Sequence, residues 1–353
     1  MMFYIKDATC ISSQATYGQT DLEKYRLPVD NRVAAIEPSY DLIPDKILRR
    51  MGKAVRLGVG AAMPLIKNGV QPDGVIIGTA NGGMEDCIKF LNQIIEYEEG
   101  MLTPTNFVQS TANAVAGQVG LLLKNTGYNI THVHRGHSFE NAMIDAAMHL
   151  AKNTTHKILL GAVDEISAYN YNIDLLDGWY KTEPISLDAI YNTSTSGSYP
   201  GEGSAMFIVD SINTKGSVAV NALKTITSSD VAEVSEAFKE FIQKNNLESN
   251  PPDLYLSGEN GDIRSVPFYS GCSSQLVPGI PVAVFKHISG EFATASAIAL
   301  WLCYKILTSR DLPDHMIKIR QAVREQAPAN YKRILLYNSF KTLQHSFLLC
   351  SVS

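Results

Sequence analysis

Short apolar runs alternate along this chain with longer stretches of helical periodicity. Apolar runs at residues 74–78, 157–161, 203–210, 253–256, 282–285 and 333–337 predict buried strands. Apolar positions recur every three or four residues over residues 84–97, 141–151 and 293–307, which predicts helices there. Because strands and helices alternate, we expect an α/β protein.

The second half of the chain repeats the strand and helix pattern of the first. We therefore expect two similar halves, residues 1–211 and 212–353. Residues 191–203 are rich in Ser, Gly and Pro, and residues 244–252 are polar. We interpret both stretches as loops inside one folded unit.

The composition is that of an ordinary globular protein. Of the 353 residues, 45% are hydrophobic and 18% are charged, and the net charge of -5 gives no cationic field for a nucleic acid. The longest apolar stretch, residues 293–302, is about half of the roughly 20 residues that a membrane helix needs, and the N-terminus lacks a basic region before an apolar run. We therefore expect a cytoplasmic protein without nucleic-acid or membrane partners.

The five cysteines, which are Cys10, Cys87, Cys272, Cys303 and Cys350, are odd in number and widely scattered. None of them forms a C-x-x-C pair, so the sequence predicts neither a disulfide framework nor a zinc site. We expect no cofactor.

Four segments, in the same order along the chain, resemble the β-ketoacyl synthases. Residues 104–117 read PTNFVQSTANAVAG and residues 160–165 read LGAVDE. Residues 200–203 read PGEG, and residues 286–295, KHISGEFATA, are followed by NSF at 338–340. Each segment alone is a weak signal, whereas the four together are specific.

The resemblance implies a thiolase-like α/β fold in which two similar βαβ-rich halves form five αβαβα layers. In that family a cysteine at the start of a buried helix carries the acyl group, and two histidines hold the malonyl thioester oxygen during decarboxylation. This chemistry requires a thiolate of low pKa and neutral imidazoles that donate hydrogen bonds to a developing enolate.

The nucleophile position of the family is altered in this chain. The A-C-x-S-G motif of the family corresponds to residues 135–139, which read R-G-H-S-F. Counting without a gap from Asn113 puts Gly136 at the cysteine position, and counting back from Glu165 puts His137 there. We prefer Gly136, because an inserted residue fits more easily in the loop at residues 152–157.

Both histidine positions are also altered. The first corresponds to Gly258 and the second to Glu291. An ionised Glu291 would repel a forming enolate, and Lys286 is its expected ion-pair partner. The segment after Phe340 has lost the glycines of the family's oxyanion loop, and loss of one such donor typically costs roughly 3 to 4 kcal/mol.

Two other chemistries would use side chains of the same segment. His132, His134 and His137 have a tempting spacing for a metal, but no carboxylate or cysteine accompanies them at ligand spacing, so packing around a vacated pocket is favoured. Ser138 follows His137, but adjacent residues at a helix start point in different directions, which disfavours a serine nucleophile.

The sequence therefore favours a noncatalytic subunit, similar to a chain-length factor, that pairs with an active ketosynthase and meets acyl carrier protein. The resemblance places Phe107, Thr111, Asn113, Ser138 and Phe340 at a substrate tunnel and subunit interface. It also places the pairing edge near residues 127–133. The pathway would be type II polyketide, polyene or fatty-acid synthesis.

Two alternatives remain from the sequence. The first is a divergent enzyme that transfers an acyl group or hydrolyses thioesters, using Ser138, His137 or Glu291. The second is a homodimeric protein that binds acyl chains or acyl carrier protein. The only clear basic cluster for docking is Lys46, Arg49, Arg50, Lys53 and Arg56, and such clusters are more often solvated helix faces.

Overall fold

Strands and helices alternate in the computed structural model, which describes residues 2–23, 25–26, 28–67, 69–102, 104–183, 187–309, 312–319 and 331–352. Its strands are β1 (Phe3–Ile11), β2 (Gly74–Gly78), β3 (Tyr128–His132), β4 (Ile158–Asp164), β5 (Gly203–Asp210), β6 (Val218–Thr227), β7 (Leu254–Ser257), β8 (Val282–Val284), β9 (Ile317–Ile319), β10 (Arg333–Phe340) and β11 (Gln344–Val352). Its helices are α1 (Asp45–Leu48), α2 (Lys53–Lys67), α3 (Met84–Glu96), α4 (Pro104–Gln109), α5 (Ala114–Leu123), α6 (Ser138–Lys152), α7 (Ala168–Leu176), α8 (Val231–Lys244), α9 (Val266–Ser273), α10 (Lys286–Ser289) and α11 (Ala295–Ser309). Short 3-10 turns span Arg135–His137, Leu187–Asn192, Ile263–Ser265 and Asp314–Met316.

The strand order is duplicated within one hydrogen-bonded sheet. Five strands run in the order β3-β2-β4-β5-β1, and five more run in the matching order β8-β7-β10-β11-β6. In each set the fourth spatial strand is antiparallel to both of its neighbours. The sets join where residues 3–5 of β1 pair antiparallel with residues 218–220 of β6, and β9 extends the far edge.

The apolar side chains form three clusters that separate the layers. The central cluster takes Phe139 from α6 and Leu302 from α11, with residues of β5 on one side and β10 on the other. A second cluster packs α2 against the opposite face of β5, and a third packs α8 and α9 against the opposite face of β10. The layers therefore alternate as helix, strand, helix, strand, helix.

The two-sided burial of β5 explains its sequence. Phe207 faces the central cluster, whereas Met206 and Ile208 face α2. Since successive side chains of a strand point to opposite faces, a strand covered on both sides is apolar at every position.

The predicted strands and helices are present, with shifted bounds. The predicted helix at residues 293–307 is found at Ala295–Ser309, and the one at 141–151 begins earlier, at Ser138. The proposed boundary between residues 211 and 212 falls between β5 and β6, and the assignment of residues 1–211 and 212–353 as two similar halves stays a prediction. Within the described residues, no helix has both the length and the hydropathy to cross a membrane.

Candidate functional site

The residues at the predicted catalytic positions converge on the end of β10. This strand ends at Phe340, and its last three residues adjoin Gly136 and Gly258 and are linked to Glu291 through Lys286. Parallel strands β7 and β10 lie side by side, which brings Gly258, just after β7, next to residues 337–338. Gly136, Gly258 and Glu291 therefore lie near one another around the end of β10, and their correspondence to the catalytic positions of the family stays a prediction.

Gly136 lies directly under the Phe340 side chain. A Cβ atom at residue 136 would be 2.5 Å from the Cβ and 2.9 Å from two ring carbons of Phe340. The Gly136 backbone N–H donates to Gln344 Oε1 at 2.8 Å. The space and the hydrogen-bond donor that a nucleophile position would need are thus both taken by the chain's own side chains.

Gly258 is enclosed in the same way. A Cβ atom at residue 258 would lie 2.7 Å from Asn338 Oδ1 and 3.0 Å from the Tyr269 hydroxyl. The Tyr269 hydroxyl donates to the Gly258 carbonyl at 2.6 Å and accepts from the Ser339 N–H at 3.0 Å. Tyr269 is therefore wedged between the two segments, in a position that the sequence alone did not reveal.

Glu291 and Lys286 form a buried ion pair beside this wedge. Lys286 Nζ lies 2.7 Å from Glu291 Oε2 and also donates to the Ser339 carbonyl at 3.0 Å. Asn260 Nδ2 donates to the same Glu291 oxygen at 2.7 Å. Burial raises the pKa of Glu291 and lowers that of Lys286, and their contact opposes both shifts. Two donors converging on one oxygen indicate a carboxylate paired with an ammonium group.

Glu140 is a second buried carboxyl group nearby. It lies in α6, is fully buried, and accepts from Ser346 Oγ at 2.8 Å, while its Oε2 has no hydrogen-bond partner among the described residues. Burial raises the pKa of Glu140 to about 7. Glu140 was not predicted as a site residue from the sequence. Its position between Phe139 and Met143, which are both apolar and buried in the central cluster, could have indicated a buried carboxyl group.

Ser138 and His137 have structural contacts at the start of α6. The Ser138 hydroxyl donates to the Arg135 carbonyl and accepts from the His134 N–H, both at 2.8 Å. His137 Nε2 lies 3.1 Å from the His345 carbonyl, and burial lowers the pKa of His137. Ser138 is fully buried, so its hydroxyl does not face a site of attack.

The three histidines of the spacing pattern have different partners. His132 Nε2 lies 2.9 Å from Asp145 Oδ2, and His134 Nδ1 lies 3.0 Å from Asn141 Nδ2. Among the described residues, no group of three or more His, Cys, Asp or Glu side chains has the geometry to hold a metal ion.

Glu165 lies away from this cluster, at the starts of two helices. Its carboxylate accepts from the Ala54 N–H of α2 at 3.0 Å and from the Glu85 N–H of α3 at 3.3 Å. Burial raises the pKa of Glu165 to about 7, and these two N–H groups oppose the shift. Such contacts stabilise helix N-termini.

Phe107, Thr111 and Asn113 lie on the surface rather than around Gly136. The Phe107 side chain is 58% exposed and packs against Phe90, with ring centroids 5.3 Å apart. Thr111 is exposed, and Asn113 Oδ1 accepts from Thr131 Oγ1 of β3 at 2.9 Å. Asn113 therefore contacts β3, whereas Phe107 contacts α3.

A cleft of about 570 Å³ opens beside the predicted nucleophile position. Asn81, Arg135, Phe340 and Lys341 line it. Arg135 has a left-handed backbone with φ of 50°, a conformation that is uncommon for residues other than glycine and is often found at functional sites. Phe340 separates this cleft from Gly136.

Solved structures share this architecture over nearly the whole chain. A beta-ketoacyl synthase from Burkholderia phymatum STM815 aligns with a TM-score of 0.73 at 14% identity, covering 100% of both chains. The ishigamide ketosynthase/chain length factor aligns with a TM-score of 0.74 at 13% identity, covering 99% of both. The ketosynthase ApeO in complex with its chain length factor ApeC, from Xenorhabdus doucetiae, gives a TM-score of 0.72 at 14% identity, covering 99% of this chain and 98% of that one. The predicted thiolase-like α/β fold is confirmed.

The family assignment rests on the sequence itself. Residues 25–232, more than half of the chain, match the family model described as the beta-ketoacyl synthase, N-terminal domain. The chain therefore belongs to the β-ketoacyl synthase family. A comparison with curated protein sequences gives no significant match.

Proposed function

We propose that this chain is a noncatalytic β-ketoacyl synthase subunit that pairs with an active ketosynthase and acts as its chain-length factor. The observation that carries the proposal is the occupied nucleophile position, where a side chain at residue 136 would collide with Phe340. The predicted nucleophile position thus lacks a cysteine, and the Phe340 side chain fills the space that a side chain at residue 136 would need. Loss of the nucleophile alone would have left an open pocket.

The ion pair of Lys286 and Glu291 supports the same proposal. Glu291 Oε2 accepts from both the Lys286 ammonium and the Asn260 amide, and a carboxylate at the second histidine position has no hydrogen to donate to a developing enolate. Ser138 is buried and hydrogen bonded, which disfavours the alternative in which it attacks a thioester.

The distribution of exposed apolar side chains supports a partner subunit. Among the described residues, fourteen of the twenty large exposed hydrophobic side chains belong to residues 91–176, the part of the chain that contains β3 and its flanking helices. Among the strands that the structure describes, β3 pairs only with β2, so one of its edges is open there. Exposed apolar surface next to an open strand edge is typical of an interface. Two of the similar solved structures are described as a ketosynthase with its chain length factor, which favours a heterodimer for this chain.

We further propose acyl carrier protein as a transient partner. Lys46, Arg49 and Arg50 are exposed at α1 and make no ion pair within the part of the chain that the structure describes. Lys53 and Arg56 of the same cluster pair instead with Glu202 and Glu37. Unpaired surface cations favour association with an acidic partner.

The test is to co-express this chain with an active ketosynthase from the same organism. We expect the two to co-purify and condense acyl and malonyl carrier-protein thioesters, whereas this chain alone gives no turnover. Mass spectrometry of the chain after incubation with acyl thioesters should show no covalent adduct. Turnover or an acyl adduct with the isolated chain would instead support the divergent enzyme, and a stable homodimer that ignores the ketosynthase would support the acyl-binding alternative.

A further inference from the structure

A chain of four hydrogen-bonded groups lies apart from the site around Phe340. The Tyr191 hydroxyl is 2.9 Å from His287 Nδ1, and His287 Nε2 is 2.8 Å from His315 Nδ1. His315 Nε2 is 2.6 Å from the Leu22 carbonyl oxygen. The chain connects the turn Leu187–Asn192, α10, the turn Asp314–Met316 and the beginning of the protein.

The polarity of this relay follows from its last member. A carbonyl oxygen can only accept, so His315 Nε2 must carry a hydrogen, and a neutral His315 then accepts at Nδ1. His287 must therefore donate from Nε2 and accept at Nδ1 from the Tyr191 hydroxyl. The His287 backbone N–H donates to that same hydroxyl oxygen at 2.9 Å. Every donor and acceptor is matched only when both imidazoles are neutral.

A proton added to His315 would have to go to Nδ1. Two N–H groups would then face each other across the 2.8 Å between His315 and His287. A proton added to His287 would go to Nδ1 and displace the hydrogen of Tyr191. Either event breaks the relay.

The surroundings of the relay offer little compensation for a positive charge. His287 is buried, and the Tyr25 ring packs against both imidazoles, with centroid distances of 5.7 Å to His287 and 4.7 Å to His315. The charged groups nearby among the described residues are Asp314, next to His315, and the ion pair of Glu259 with Lys318, whose ammonium lies 6.0 Å from the Tyr191 ring. Lys286 points away, to Glu291.

The relay holds down the described residues 14–23 and 25–26, here called the N-terminal segment. In this segment, Leu22 contacts His315, and Tyr25 contacts His287 of α10. The segment also contacts α10 through Gln14 Nε2, which donates to the Ile288 carbonyl at 3.2 Å. Gln14 Oε1 in turn accepts from the Arg26 N–H at 2.7 Å. We propose that the relay of Tyr191, His287, His315 and Leu22 is an acid-sensitive clasp, which holds the N-terminal segment on α10 and releases it when either imidazole is protonated.

The direction of the pH effect follows from His287. Burial, and then the neighbouring His315, lower the pKa of His287 from 6.5 to about 3. The open form therefore binds a proton more readily than the closed form between these values. The clasp is fully stable above pH 6.5 and weakens as the pH falls below it, by about tenfold in the opening equilibrium for each pH unit per proton taken up.

Amide hydrogen exchange of the intact protein between pH 5 and pH 8 tests the proposal. The reporters are the Arg26 N–H and the Asp21 N–H, which donates to the Ala15 carbonyl at 2.9 Å. After correction for intrinsic exchange, we expect their protection to fall about tenfold per pH unit below pH 6.5. The double variant His287→Gln/His315→Gln should remove this pH dependence.

The matched control is His156→Gln, because His156 Nδ1 also pairs with an imidazole, His149 Nε2, at 3.0 Å. This variant should keep the wild-type pH dependence. Equal pH dependence in wild type and the double variant would overturn the clasp, as would its loss in His156→Gln. If the double variant does not fold, nitrogen NMR of the wild type decides: at pH 7.5 both His287 and His315 should be neutral with the hydrogen on Nε2, and any other state refutes the proposal.

Discussion

The Phe340 side chain fills the space beside Gly136 while the overall fold of the family is kept. The resemblance predicts Gly136, with His137 as the alternative, at the nucleophile position of the family, and an ideal Cβ at residue 136 would lie 2.5 Å from Phe340. The motif alone predicted the missing thiol. It could not predict the occupied space, because Phe340 is 204 residues further along the chain and arrives through the strand order.

The first prediction is that Gly136→Ala lowers the free energy of unfolding by about 1 to 3 kcal/mol, because the added methyl group overpacks a filled site. The effect should shrink in a Phe340→Gly background, where the colliding atoms are absent. The control is Gly117→Ala, since a Cβ there meets only Asn113 at 3.6 Å. We expect this α5 substitution to be stabilising, by up to about 1 kcal/mol. Urea unfolding measures the wild type, the two single variants, the double variant and the Gly117→Ala control, and an equal cost of Gly136→Ala in both backgrounds would contradict the packing argument.

The second prediction concerns the pH dependence of Glu140. Its folded-state pKa of about 7 lies above the ordinary value of 4.5, so the folded protein holds a proton that the unfolded chain releases. The contribution of Glu140 to stability is therefore lost as the pH rises through about 7. Glu140→Gln should stabilise the protein by up to about 3 kcal/mol more at pH 8 than at pH 4.5.

Urea unfolding at the two pH values checks this difference. The amide of Gln does not titrate, so any constant cost of leaving it without a partner cancels in the comparison. Glu236→Gln on the exposed face of α8 serves as the control and should show no such difference. A Glu140→Gln effect of equal size at both pH values would mean that the carboxyl group is not held protonated.

At the scale of elements, the sequence pattern identified strands that are buried on both faces and missed those with polar positions. β5 is apolar throughout because α2 covers one face and the central cluster covers the other. β1 and β6 were not predicted, although they join the two halves of the sheet. In β1, Lys6, Asp7 and Thr9 interrupt the apolar run and line partly open surface, so periodicity gave no strand signal there.

The third prediction tests the open edge of β3 as the subunit interface. Ile144 of α6 borders the groove beside this strand and is 38% exposed. Ile144→Lys should weaken assembly with the ketosynthase by at least about tenfold, since a charge would be buried against apolar surface. Val277 is also 38% exposed but lies in the second half of the chain, so Val277→Lys is a matched control that should leave assembly unchanged.

Analytical ultracentrifugation of each variant with the partner gives the affinities, and circular dichroism checks that both variants fold. If Ile144→Lys assembles as well as the wild type, the interface does not include the groove between β3 and α6. If Val277→Lys is equally defective, the effect is not specific to this edge.

At the scale of the whole molecule, the sequence predicted which residues lie near one another but not the hydrogen bonds and packing around them. The order of the four motifs indicated which residues lie close together: Gly136 and Gly258 adjoin the end of β10, and Glu291 is linked to it through Lys286. The hydrogen bonds of Tyr269 that lock Gly258 to Ser339 left no trace in any motif. Such contacts depend on residues far apart in sequence that only the complete strand order brings together.

The last prediction concerns the length of the product made by the assembled complex. Phe107 and Thr111 are exposed, and the family resemblance predicts that they lie where a partner's tunnel would meet this chain. If their side chains close that tunnel, Thr111→Trp should shorten the products, because each forced methylene of overpacking costs about 1 to 3 kcal/mol, enough to stop elongation within one or two cycles. Phe107→Ala should lengthen them by removing the bulkiest group, and Val277→Lys should not change them.

Mass spectrometry of the products, from complexes shown to be intact, measures the chain lengths. Unchanged lengths with both Thr111→Trp and Phe107→Ala would place the gate on another part of the interface.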